Sequence, residues 1–415
     1  MKILFIHQNF PGQFKHIAPI IAKDPKNQVV AITARTFESN QWNNIQINTY
    51  SHIRAPATNL NPWLINLESQ VNQGQAVLQI AKAMRESGFY PDIIIAHPAW
   101  GESFFIKDVW PNAHLSIYCE MYYQTEGGDV NFDLEWHIED KEANSRLRLR
   151  NAFYELQSAS INSALSPTSW QANTFPKHFR DRITVIHDGV DTEKITPDPF
   201  VKIDIKNQQG EIIKLSKDDE VVTFISRNLE PYRGIHIFIR ALPELLKKRP
   251  KLRVLMIGGN DVSYGYKHPS GKKWRDIFMN EILPKIGNEE KERIHFIDPV
   301  PHPQLINILQ LSSVHVYLTY PFVLSWSLIE AMSAGCAIVA SDTAPVMEVI
   351  EDRKNGLLVN FFDHAGLTKK IISLLENPKE RKKLGNAARN FAKKNYDLHK
   401  ISLPKQIAWI NSLLK

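Results

Sequence analysis

Arg227 and Arg233 share one short stretch, SRNLEPYRG, Ser226 to Gly234. An apolar run precedes it and an amphipathic run follows. Arg227 therefore leaves a strand end, and Arg233 sits just before a helix. Two guanidiniums beside a helix N-terminus make a clamp for a diphosphate. A solvated loop with two surface arginines is the plainer reading of the same residues. A second stretch, TYPFVLSWSLIEAMSAGCAIVASD, runs from Thr319 to Asp342. A strand enters a loop at Pro321, and a helix begins near Ser327. Backbone N–H groups of Ser325, Trp326, Ser327 and Leu328 would face outward there and could hold an anion through the helix dipole. Glu330, in the first helical turn, either complements that dipole or accepts hydrogen bonds from a ribose diol; both readings stay open.

Other candidates are single residues. Gly12, in HQNFPGQFKHIAP, stands at a strand-to-helix turn, where a glycine lets a phosphate approach the backbone. Glu120 follows a strand end, where a solvated loop acid is the plainer reading. His97 ends an apolar strand, where a lone histidine is more often a structural hydrogen-bonder than a base. Trp100, Tyr122 and Tyr123 could stack on a sugar, although such rings more often pack in cores. VIHDGVD, Val185 to Asp191, reads as a structural turn at Gly189. Arg146, Arg148 and Arg150 form one basic cluster, and Lys177, His178, Arg180 and Arg182 a second. They describe a solvated face or a patch that docks on anionic lipid. No GxGxxG, Walker, GxSxG or HExxH motif occurs, which weighs against a nicotinamide oxidoreductase. Without a DxD triplet, a carboxylate-held divalent metal has no evident home, so no metal is expected.

These residues need strand ends to present them. Short apolar runs alternate with amphipathic stretches, the pattern of parallel α/β sheets. Strands are expected at Lys2–His7, Gln28–Thr33, Asp92–Ala96, Leu115–Cys119 and Ile183–His187, with helices at Gln13–Ala22, Leu64–Ser87 and Glu139–Asn162. The rhythm breaks after Thr192, where IKNQQGEIIKL suggests a hairpin. It then restarts, with strands at Val221–Ser226, Leu252–Gly258, Ile294–Ile297, Val314–Leu318, Ala337–Ala340 and Gly356–Val359. Helices are expected there at Ile235–Lys248, Pro303–Leu311, Ser327–Ala334 and Ala365–Leu375, with a helical tail beyond. The fold class is α/β, in two domains, residues 1–195 and 196–395, with a tail helix at 396–415.

Composition sets the outer bounds. The chain has 415 residues, 43% of them apolar and 23% charged, which suits a globular protein and excludes disorder as the main architecture. Fifty basic and 44 acidic residues leave +6, compatible with an anionic ligand without requiring nucleic acid. The two cysteines, Cys119 and Cys336, sit in apolar runs and offer no disulfide framework. The apolar run before His7 is too short for a signal-peptide core, and no membrane span is evident. A cytoplasmic enzyme, with peripheral contact at the inner face of a membrane as a variant, is the expectation.

Taken in order, SPTSW, VIHDGVD, RNLEPYRG, LSWSLIEAMSAGCAIVASD, EVIED and NGLLV resemble the consecutive signatures of the family 4 retaining glycosyltransferases of GT-B fold. The resemblance is strongest from Ser166 to Val359. It implies two Rossmann-like domains facing a cleft, residues 1–195 on the acceptor side and 196–395 on the nucleotide-sugar side, with the tail helix, 396–415, packing back on the first. It also implies a metal-independent, retaining transfer of a sugar from a nucleotide diphosphate donor to a glycan, lipid or small-molecule acceptor, with no separate cofactor and no nucleic-acid partner. It implies that Arg227 and Arg233 grip the diphosphate, that Glu330 binds the ribose, that Gly12 lies near the phosphates and that backbone around Val300 contacts the base. It puts Glu120 near the reacting sugar, where relatives often carry a histidine. Two departures stand out. Phe322 occupies the position of a sugar-contacting Glu, and Ala344-Pro345 replaces a Gly-rich pair. Alternatives are a GT-B epimerase or hydrolase and a catalytically silent nucleotide-sugar binder.

Overall fold

The apolar runs read from the sequence become the middle strands of two parallel sheets. The structure is a computed structural model and describes residues 1–51, 55, 57–136, 141–206 and 210–414. Two compact units result, one of Met1–Asn131, Ile138–Gly189 and His399–Lys415, the other of Phe132–His137 and Val190–Leu398. The sequence reading set the division near residue 195; the units part at Gly189 and Val190.

The first unit holds β1 (Lys2–Ile6), β2 (Gln28–Thr33), β3 (Gln41–Trp42), β4 (Ile45–Thr49), β5 (Ile93–Ala96), β6 (His114–Tyr118), β7 (Ser163–Ser166) and β8 (Ile183–Val185). Their order is β3-β4-β2-β1-β5-β6-β7-β8, with only the short β3 antiparallel. Every residue of β5 is buried, as befits a run covered by helices on both faces. The direction of strand addition reverses between β1 and β5. In open α/β sheets the carboxyl ends at such a reversal form the ligand crevice.

A hairpin of β9 (Lys202–Lys206) and β10 (Ile212–Ser216) opens the second unit, antiparallel as expected. The Asn-Gln-Gln of its turn lies outside the described residues. The main sheet follows, with β11 (Val221–Asn228), β12 (Arg253–Gly259), β13 (Ile294–Ile297), β14 (Val314–Tyr317), β15 (Ile338–Ser341) and β16 (Leu357–Val359). All six are parallel, in the order β13-β12-β11-β14-β15-β16, so the reversal falls between β11 and β14. The Ile235–Lys248 helix forms over the expected span, and its apolar stripe, including Ile235, Phe238, Leu242 and Leu245, is buried. Each unit is thus Rossmann-like, with its own core around its central strands.

Some expectations shift. The helix expected from Gln13 begins at Ile17, because Gly12–Phe14 closes as a 3-10 turn. The long helix expected over 139–162 breaks at Asn151 into Ala143–Arg150 and Ala152–Glu155, and Glu139 lies outside the described residues. The Asn151 side chain exchanges two hydrogen bonds with the Tyr123 backbone, 2.9 Å in and 2.8 Å out. Strands β3, β4 and β7 and the Trp274–Ile282 helix are additions. The tail helix, Leu403–Ser412, contacts the Ile17–Lys23 helix within the first unit. No helix among the described residues is long and apolar enough to cross a membrane.

Candidate functional site

In the second unit the reversal between β11 and β14 collects the arginines. Arg227 lies at the end of β11, where pairing with β12 shifts register between Ile225 and Asn228. It is exposed and makes no hydrogen bond or ion pair among the described residues. Arg233 closes a 3-10 turn ended by Gly234, whose φ of 70° is left-handed. A Cβ at Gly234 would stand 2.5 Å from the Leu318 Cβ, so both the conformation and the space demand glycine.

Arg233 is only 5% exposed, yet its guanidinium meets no carboxylate at ion-pair distance among the described residues. Its Nη1 donates to Thr319 Oγ1 at 2.8 Å, to the Val323 carbonyl at 3.1 Å and to the Tyr317 hydroxyl at 3.5 Å. The guanidinium carbon lies 5.2 Å from the Tyr264 ring centre and 5.7 Å from that of Phe322. A buried cation hydrogen-bonded to neutral groups, with no carboxylate in direct contact, is costly unless an anion completes its shell.

Glu230 builds the wall beside it. Its carboxylate is fully buried and accepts backbone N–H bonds from Ser263 at 2.9 Å, Tyr264 at 3.1 Å and Gly265 at 3.0 Å. Burial raises its pKa despite these bonds. The clamp sets Tyr264 against Phe322 at 5.0 Å between ring centres, with Tyr232 5.4 Å from Phe322. Phe322 is thus buried in an aromatic cluster. Sequence reasoning missed Glu230 and Tyr264; an acid beside Pro231 was visible, but nothing in the sequence pointed to a loop more than thirty residues away.

The helix Trp326–Ser333 begins at Ser325 as its N-cap. Its amides are not outward and free as expected. Ser325 N–H donates to the Tyr317 hydroxyl at 3.0 Å, Ser327 N–H to Ser325 Oγ at 3.3 Å, and Leu328 N–H to the Ser325 carbonyl at 3.2 Å. The cap side chain does locally what a ligand would otherwise do. Trp326 is the first helical residue. Glu330 is nearly buried, and its Oε1 lies 2.7 Å from His302 Nε2, at the start of the His302–Leu311 helix. His302 is a further residue that the sequence reading did not single out. Val300 precedes that helix with its side chain packed on the core.

The first unit's reversal presents a different set. His7 follows β1, His97 follows β5 and Glu120 lies just beyond β6. His7 Nε2 lies 2.7 Å from Gln13 Oε1, Gln13 Nε2 donates to Glu120 Oε1 at 3.3 Å, and His97 Nε2 stands 3.8 Å from Glu120 Oε2. Burial pushes His7 down to about 4, and burial, then the neighbouring His7, holds His97 well below the usual imidazole range. Gly12 has φ of 45°, and a Cβ there would stand 2.2 Å from His7 Nε2. The glycine makes room for that imidazole, a reason for its presence that its sequence context did not reveal.

The basic clusters are partly committed. Arg182 Nη1 donates to the Ser158 and Ile161 carbonyls at 2.7 and 2.9 Å, and Arg180 Nε to Asn173 Oδ1 at 2.8 Å. Arg150 lies over the Tyr123 ring at 3.5 Å. Asp133, Glu135 and His236 bring possible metal-ligand atoms within 4.8 Å of one another. Protein groups already engage all three: Tyr320 donates to Asp133 at 2.7 Å, His236 Nε2 lies 3.0 Å from Asp133, and Glu135 is forked by Arg240.

Comparison with known proteins finds similar chains among the glycosyltransferases. Residues 25–195 match the Glycosyl transferase family 4 group and residues 206–391 the Glycosyl transferases group 1. The chain belongs to the family 4 glycosyltransferases of GT-B fold. It is 24% identical over 246 residues to a D-inositol 3-phosphate glycosyltransferase of Streptomyces coelicolor, covering 56% of this chain and 52% of that protein. It is 31% identical over 223 residues to an uncharacterised glycosyltransferase of Methanocaldococcus jannaschii, covering 52% and 50%. The chain spans about half the length of the curated relatives it matches. Its fold is similar to Anabaena HepE in complex with UDP-glucose, with a TM-score of 0.68, 16% identity and 99% of both chains covered. A sucrose-phosphate synthase from Thermosynechococcus elongatus gives 0.70 and 15% over 99% of both chains.

Proposed function

We propose that the chain is a retaining, metal-independent glycosyltransferase that takes its sugar from a nucleotide diphosphate donor. The observation that carries this reading is Arg233, a buried guanidinium at the carboxyl ends of β11 and β14 whose side-chain hydrogen bonds among the described residues all go to neutral groups. A diphosphate completes its shell, and the exposed Arg227 supplies a second positive charge. Glu330, steadied by His302, is placed to accept hydrogen bonds from the donor's ribose. HepE, the Anabaena protein of similar fold, was crystallised with UDP-glucose, which favours a uridine-linked donor.

Charge dictates the chemistry. Breaking the bond between sugar and diphosphate puts positive charge on the sugar ring and negative charge on the departing diphosphate. Preorganised donors aimed at such developing charge are worth about 3–4 kcal/mol each in the barrier. The two arginines answer the negative part, so the reading needs neither a metal nor a separate cofactor. Retention follows a front-face route in which the departing phosphate oxygen takes the acceptor proton. The acceptor is a glycan, lipid or small-molecule hydroxyl met by the strand-end loops of the first unit. Membrane docking finds little support in the second basic cluster, where Arg180 and Arg182 are spent on local partners.

Turnover of UDP-sugars, measured with and without candidate acceptors and with a chelator present, tests this. Acceptor-dependent release of UDP that survives chelation is the expected result. Acceptor-independent turnover favours an epimerase or hydrolase. UDP binding without turnover favours a silent binder, and abolition by chelator ends the metal-free reading.

A further inference from the structure

The cluster at the ends of β1, β5 and β6 has a direction. His7 Nδ1 accepts the backbone N–H of Asn9 at 2.9 Å. The imidazole is neutral at physiological pH, because burial holds it down to about 4. A neutral ring that accepts on Nδ1 carries its proton on Nε2. That Nε2–H donates to Gln13 Oε1 at 2.7 Å. The amide orientation follows: the Gln13 NH2 faces Glu120 and donates to Oε1 at 3.3 Å. Turned over, the amide would set NH2 against an imidazole N–H and its carbonyl against a carboxylate, two contacts between like poles. The chain of donors runs one way, from Asn9 through His7 and Gln13, and ends on Glu120.

Other contacts hold Glu120 at this end. Its backbone N–H donates to the Tyr154 hydroxyl at 3.2 Å, and its carbonyl accepts Gln171 Nε2 at 2.7 Å. The His97 imidazole, 1% exposed and without a hydrogen-bond partner on either nitrogen among the described residues, stands 3.8 Å from the second carboxylate oxygen. We propose that Gln13, oriented by His7, is a positioning residue that holds the Glu120 carboxylate in one orientation as a hydrogen-bond acceptor for a substrate hydroxyl. The proposal rests on the transferase reading above for the use of that carboxylate, but the relay exists independently of it.

The surroundings make the relay measurable. Titratable groups near Glu120 among the described residues include His7 and His97 at the neighbouring strand ends and Tyr118, Tyr123 and Tyr154. Burial lowers the two imidazoles and raises the three phenols, so all five stay uncharged near neutral pH.

The test pairs carboxyl-carbon NMR of labelled glutamate with kinetics on full-length Gln13→Leu, Glu120→Gln and the double variant. Leucine replaces Gln13 at similar volume beside Phe5, Phe14 and Ile17. Losing a donor to the ionised carboxylate raises the Glu120 pKa, so its titration and the acid limb of the rate profile move to higher pH. The transfer kcat falls roughly 10- to 100-fold, while the donor KM stays within about twofold. In the Glu120→Gln background the same change adds no further loss, since its target is gone. His7→Phe, which keeps the ring shape and removes the Nε2 donor, moves both readouts the same way and covers the case in which Gln13→Leu does not fold. An unmoved Glu120 titration in a folded variant, or an equal kcat loss in both backgrounds, overturns the proposal. A wild-type chain that transfers no sugar while the titration still moves sinks the transferase reading and leaves the relay standing.

Discussion

Arg227 and Arg233 have the same charge and opposite circumstances. Arg227 is exposed and has no partner among the described residues, so its removal costs the fold nothing that the structure shows. Arg227→Ala is expected to lower sugar-transfer turnover about 100-fold or more and to leave the urea midpoint unchanged. Near-normal turnover would take Arg227 out of the diphosphate clamp. Arg233 is also a structural donor to Thr319, Val323 and Tyr317. Arg233→Ala removes the donor to the Thr319 hydroxyl and the Val323 carbonyl, while Tyr317 keeps its bond from Ser325 N–H, and a stability loss of about 1–3 kcal/mol accompanies the loss of turnover. Arg233→Lys keeps the charge but not the planar fork, so it recovers stability incompletely. Equal urea midpoints for wild type and Arg233→Ala would refute this dual role.

The turn between β11 and the Ile235–Lys248 helix sets the geometry of both arginines. Gly234 is the helix N-cap, in the left-handed region, with Leu318 and Phe361 where a side chain would go. Gly234→Ala is expected to destabilise the protein by about 1–3 kcal/mol, read as a lower urea midpoint, and to weaken UDP binding because Arg233 precedes it directly. Unchanged stability would mean that the turn adapts and that this strain argument fails. Ser325 shows the complementary case: its side chain caps the Trp326–Ser333 helix and absorbs an amide that the sequence reading had offered to a ligand.

Over the whole molecule, buried histidines set the response to acid. Burial holds His7, His187 and His295 down to about 4 and His315 to about 3, and puts His97 well below its ordinary value. A group depressed in the folded state contributes stability above its unfolded pKa of about 6.5 and loses it as pH falls towards the folded value. Glu102 works the other way. Burial lifts it to about 7, so its contribution is complete below the unfolded carboxylate value and fades as pH rises through 7. Glu230, also raised by burial, sides with Glu102. The histidines outnumber the two acids, so net stability falls as pH drops from 7 towards 4. Urea unfolding at pH 7 and pH 5 checks the sign; greater stability at pH 5 would show that the carboxyls dominate.

Two parallel α/β units and the segments around Arg227, Arg233 and Glu330 were legible in the sequence alone. Apolar runs flanked by amphipathic stretches report burial on both faces of a strand, a local property, and consecutive signatures preserve order along the chain. The Ile235–Lys248 helix was readable to the residue for the same reason. Tertiary structure alone decided which side chains meet. Glu230 reaches a loop at Ser263–Gly265, His302 reaches Glu330, and Gln13 reaches Glu120 across more than a hundred residues. It also decided that Gly12 makes room for His7 and that the amides at Ser325, Ser327 and Leu328 are spent internally. Hydrogen bonds between distant segments depend on how strands are ordered in a sheet, and strand order leaves no trace in the pattern of neighbouring residues.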